Sequence, residues 1–168
     1  MRLRWAKGGV DDRDKSVSFV AGATPRRSIS SLEAMINGPV TAHRWTQFLA
    51  SRTYVPKSAQ LLAQFAHGEI TRFCQCGCNS YDLRVAPDVW LEPLMPASDR
   101  SGCALELAFY TAEQSEPKRT VEINLYIDSN GYFAGIDVDY CGNSAPMPEH
   151  PVLIEPPFHI HGALLSGL

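Results

Sequence analysis

The chain has 168 residues, 45% of them hydrophobic and 20% charged, with a net charge of −3. That is enough apolar material for one real core, and it excludes a collagenous, low-complexity or wholly disordered chain. No apolar run approaches the ~20 residues that span a bilayer, so no membrane partner is expected.

The charge is uneven. Residues 1–100 carry 13 Lys and Arg against 9 Asp and Glu, whereas residues 101–168 carry 2 against 9. A C-terminal part at −7 repels nucleic acid and attracts cations or basic proteins. Asp11, Asp12, Arg13 and Asp14 follow the basic N-terminus at once, and no secretory signal is read there. The expectation is a cytoplasmic protein with reduced thiols. Five cysteines, an odd number, also argue against a pure disulfide framework.

In chain order, residues 1–27 read as a weakly ordered tail. Residues 28–148 read as a single α+β domain. Residues 149–168 read as a proline-rich, irregular tail. A first helix begins near Ser30, which with Glu33 has the form of a capping box, and Asn37-Gly38-Pro39 stops it. A second starts near Thr41, with Trp45, Phe48 and Leu49 on one stripe. A third begins at Pro56, with Leu61, Leu62, Phe65 and Ala66 inward.

The period then changes from 3.6 to 2. Ile70 to Phe73 and Tyr81 to Val85 flank a cysteine-rich turn. A loop with three prolines follows, which Trp90, Leu91, Leu94 and Met95 are placed to pin. Three clear alternations come next: Cys103, Leu105, Leu107 and Phe109; Val121, Ile123, Leu125 and Ile127; and Ala134, Ile136, Val138 and Tyr140. Asp128-Ser129-Asn130-Gly131 joins the last two as a hairpin. The predicted architecture is α+β, with N-terminal helices packed on a four- to five-stranded antiparallel sheet.

The sharpest local feature is Cys74-Gln75-Cys76-Gly77-Cys78-Asn79-Ser80. Thiolates are soft ligands suited to Zn²⁺ or Cu(I), and Cys141 at the end of the last alternation is a candidate fourth ligand. Structural zinc sites mostly use C-x₂₋₄-C pairs, and no C-x-x-C exists here. On an extended strand the three cysteines would share one side and serve as small core residues. A redox or reactive-thiol role needs a depressed thiol pKa, for which Arg72 and Arg84 are close in sequence. His159-Ile160-His161 puts two imidazoles on one side of any strand it joins, in what reads as a surface tail.

The outward register of the alternating segments holds Glu106, Glu122, Asn124, Asp137 and Asp139 with Tyr110, Tyr126 and Phe133. Acids mixed with exposed rings suit a protein partner with a basic surface. No nucleophile elbow, Walker loop, dinucleotide fingerprint or zincin motif occurs, so a non-catalytic binding domain leads. A zinc-binding structural or sensor domain and a thiol-dependent redox enzyme are the alternatives.

The stretch 70–83 with the hairpin 123–137 resembles a group of small bacterial proteins that pair a C-x-C-G-C-x-[ST] turn with a strand–Asp–Gly–strand hairpin. The second half also resembles the closing hairpin of immunity proteins from bacterial toxin systems. The resemblance covers about residues 55–148. It implies a bacterial cytosolic domain without an established activity; the −7 half, the acidic and aromatic register and the lack of catalytic motifs make an immunity or antitoxin-like protein that neutralises a basic toxin domain the most concrete expectation. It carries over no catalytic residue.

Overall fold

A computed structural model describes residues 37–98, 101–113 and 117–167. The tail expected at 1–27 and the first expected helix, near Ser30, lie outside them. The Pro39 read as a helix stop instead opens α1, Pro39–Ala50, because a first-turn proline has no hydrogen bond to lose. Ala42, Trp45, Thr46 and Leu49 form its buried stripe. In α2, Ser58–Ala66, the buried residues are Leu61 and Gln64. Gln64 is a core amide rather than a surface one. Its Nε2 donates to Glu92 O at 2.7 Å and its Oε1 accepts from Phe133 N at 2.6 Å, which satisfies both ends.

Six strands follow: β1 Gly68–Phe73, β2 Tyr81–Val85, β3 Gly102–Thr111, β4 Thr120–Ile127, β5 Phe133–Tyr140 and β6 Leu153–His161. A 3-10 turn at Ala163–Gly167 ends the described chain. The sheet is antiparallel in the order β1-β2-β5-β4-β3-β6. One face packs against the two helices through Tyr81, Leu83, Leu105, Leu107, Phe109, Ile123, Leu125, Ile136 and Val138. The other is open.

The sixth strand corrects the expectation of four or five strands and of an irregular tail. β6 pairs with β3 on both sides of an irregularity: Ala108 faces His159, but Tyr110 faces Ile154. Pro156 and Pro157 fall inside the extra segment, on the sheet's edge, where a missing N–H costs no ladder bond. The proline-rich loop before β3 is pinned by Leu94 alone at full burial, while Trp90 is 89% exposed.

Two β-bulges re-aim residues that strict alternation misplaced. Between Cys103 and Leu105 the register with β4 slips, so Cys103 faces Tyr126 on the open side while Leu105 faces Leu125 in the core. In β5, Tyr126 faces Gly135 but Ile127 faces Phe133, leaving Ala134 as the extra residue. Gly135 has φ +135°, and a Cβ there would lie 2.2 Å from Tyr81 O, so the bulge needs glycine. The slip turns Phe133 inward, where it is 1% exposed. Phe133 therefore does not belong to the open face.

Candidate metal centre

β1 ends at Phe73 and β2 begins at Tyr81, and the cysteine turn fills the gap. Cys74 N donates to Ser80 O at 2.9 Å and closes the loop at its base. Gly77 (φ +83°) and Asn79 (φ +72°) take left-handed conformations that let the chain reverse within residues 74–80. Ser80 is buried and ties the turn to β5. Its hydroxyl donates to Asp137 Oδ1 and accepts from Val138 N at 2.9 Å. Cys78 Sγ lies 3.1 Å from the same oxygen. Just ahead of α1, Asn37 Nδ2 donates to Ser80 O at 2.6 Å and to Cys74 O at 3.4 Å.

The result is three converging sulfurs. Cys74, Cys76 and Cys78 have all their Sγ atoms within 4.8 Å of one another, and Cys74 and Cys76 are 2.8 Å apart. Burial is graded: Cys78 is buried, Cys74 half-buried, Cys76 exposed. Three inward core cysteines on a strand would not look like this. An ion held at ~2.3 Å by each of three thiolates needs sulfurs about 3.8 Å apart, a spacing that small χ1 adjustments reach.

The Cys76 thiol lies against Cys74 Sγ, and Cys76 N also donates to it at 3.5 Å; this contact holds Cys74 below the ordinary cysteine range while Cys76 is pushed up to about 12. Two like groups at contact cannot both ionise readily, so one proton is shared until a cation replaces it. Arg72 and Arg84 take no leading part. Arg72 Nε pairs with Asp82 and Arg84 Nη2 with Glu69, each at 2.7 Å.

The expected fourth ligand is elsewhere. Cys141 Sγ turns toward Thr120 O, 3.8 Å away, because Cys141 opens a left-handed turn with Gly142 and Asn143. Among the described residues the ligand cluster contains only the three turn cysteines. Two clefts flank it. One of about 560 Å³ is lined by Arg72, Cys74, Ser80, Tyr126 and Asp137. The other, of about 480 Å³, is lined by Cys76, Cys78, Asn143 and Met147.

The open face is subdivided. Across it run two rows of cross-strand neighbours, His161–Glu106–Asn124–Asp137 and His159–Ala108–Glu122–Asp139. The predicted acids do share this face, but three of the four have local work. Asp137 accepts from Ser80, Asp139 accepts from Asn143 N and Nδ2, and Glu106 lies beside the histidines. Tyr110 is 36% and Tyr126 38% exposed, and Tyr110 stacks on Phe158 at 4.3 Å. Burial and its neighbours Cys103, Asp137 and Glu106 raise the Tyr126 phenol's pKa. Asn124 is half-buried and Glu122 exposed. Sequence reasoning missed Asn37, whose only local signal was a helix stop. It also gave Ser80 no role, although Ser80 fills the [ST] position of the motif.

No family model matches the chain, and neither a curated protein nor a solved structure matches it. Among the described residues no helix is long and apolar enough to cross a membrane.

Proposed function

We propose that this chain is a soft-metal-binding domain that holds one Cu(I) or Zn²⁺ ion on Cys74, Cys76 and Cys78. The supporting observation is the convergence of three sulfurs within 4.8 Å in a turn tied down by Ser80 and Asn37. Three ligands leave a position open to water or to a partner's group, unlike a closed structural site. The core is built from the helices and sheet without the turn. The ion therefore serves sensing or transfer rather than holding the fold together.

The test is titration of the fully reduced chain with Cu(I) and with Zn²⁺ against a chromophoric competitor. One equivalent per chain is expected, weakened tenfold or more by Cys76→Ser and unchanged by Cys141→Ser. Binding that ignores Cys76→Ser, or none at all, rejects the reading. If metal fails and Cys74 alone alkylates rapidly at neutral pH, the thiol-enzyme reading replaces it.

A second reading rests on the open face. Exposed Tyr110 and Tyr126 share this face with Glu122, which has no basic partner among the described residues. Such a surface suits a protein with a basic surface, as an immunity-like inhibitor of a toxin domain would require.

A further inference from the structure

A different set of ligand-type side chains meets at the opposite edge of the sheet. His159 and His161 stand two apart on β6, so both rings leave the strand on the same side. Their planes lie 23° from parallel, with centroids 6.2 Å apart. β3 delivers a carboxylate to both. Glu106 is the cross-strand partner of His161. Its Oε2 lies 3.9 Å from His161 Nδ1 and 4.0 Å from His159 Nε2. Opposite His159 is Ala108, whose methyl leaves a hollow of about 330 Å³ bounded by Glu106, Glu122, Asn124, Phe158 and His159.

We propose that Glu106, His159 and His161 form a second metal site, for one borderline divalent ion such as Zn²⁺ or Ni²⁺. It is independent of the thiol turn on the β1–β2 edge, from which β5 and β4 separate it. Imidazole nitrogen with carboxylate oxygen is a donor set that such ions favour, whereas three thiolates favour softer ones. Ligand atoms at ~2.0–2.2 Å from an ion lie about 3.0–3.5 Å from one another. The 3.9 and 4.0 Å gaps, and the wider one between the two rings, whose centroids are 6.2 Å apart, must close to that by side-chain rotation, which is free because all three groups are exposed. Glu122, facing Ala108 across the ladder, adds negative potential beside the site. Three protein ligands again leave room for water or a partner's donor, and the hollow supplies the space.

The test is calorimetric titration of the full chain with Ni²⁺ after Cys74→Ser, Cys76→Ser and Cys78→Ser together have removed thiolate binding. One equivalent is expected. His161→Ala and Glu106→Gln should each lower the affinity tenfold or more, and His150→Ala should leave it unchanged. Unchanged affinity in His161→Ala, or no Ni²⁺ bound by the triple-serine chain, overturns the site. Co²⁺ absorption of the chain with its cysteines intact gives a second readout should that variant misfold. Thiolate charge-transfer bands report the turn, and weaker d–d bands lost in His161→Ala report the edge. If no bands are lost in His161→Ala, the edge site is rejected whatever the turn does.

Discussion

The two faces of the sheet are built by different rules. The face under the helices is apolar and continuous, with Leu105, Ile123, Leu125, Ile136 and Val138 each at most 2% exposed. The open face is a mosaic. At the β1–β2 edge its charges are neutralised in ion pairs, Arg72 with Asp82 and Glu69 with Arg84. Across β5, β4 and β3 it carries acids without basic partners among the described residues, apart from the histidines beside Glu106. Thiols lie at one end of that acidic stretch and imidazoles at the other. Burial tolerates only packing on the first face, while exposure leaves the second free to gather chemistry.

Phe133→Ala is the strongest way to break this division. Phe133 sits on the core side only because β5 bulges at Ala134, and it packs edge-on to Tyr81 at 6.3 Å between ring centroids. Truncation should cost about 3–5 kcal/mol, read as a lowered denaturant midpoint with an unchanged slope. A loss under ~0.5 kcal/mol, the usual size at surface sites, would put the ring on the open face and cancel the bulge.

That residue also marks where the sequence stops being readable. Each strand from β1 to β5 begins and ends within a few residues of its alternating pattern, because period-2 hydrophobicity is written locally. Phe133 and Cys103 were assigned to the wrong faces because one extra residue inverts parity, and nothing in Tyr132-Phe133-Ala134-Gly135 announces the inversion except the glycine. β6 was missed because Pro156 and Pro157 outweigh Phe158, His159 and Ile160 in any local reading. The cysteine turn was legible as a cluster of donors. Its clamp was not, since Asn37 reaches Ser80 across 43 positions, and such contacts exist only after folding.

Asn37→Ala tests that clamp and therefore how stiffly the open face holds its thiols. Ser80 O keeps the bond from Cys74 N, so the fold should lose only about 1 kcal/mol. Metal affinity should fall roughly tenfold or more, as it does when groups behind the ligands are removed. Stability and affinity read on the same sample separate the two. An unchanged affinity would mean that the turn orders itself without help from Asn37.

The smallest effect has the opposite sign. Glu122 and Asp139 face each other directly across β4 and β5, and like charges at such positions destabilise a sheet. Glu122→Lys turns the repulsion into an attraction, and stability should rise by about 0.2–1 kcal/mol at low salt, with the gain shrinking as salt screens it. Adding Asp139→Lys restores a like-charged pair and should erase the gain. Asp139 also accepts two hydrogen bonds from Asn143, so that second step should cost more than the first gained. Natural proteins rarely sit at their stability optimum, so such a gain alone does not say what the face binds. Its uncompensated carboxylates make sense where a cation or a basic partner completes them, and Glu122→Lys should then weaken that ligand while strengthening the fold.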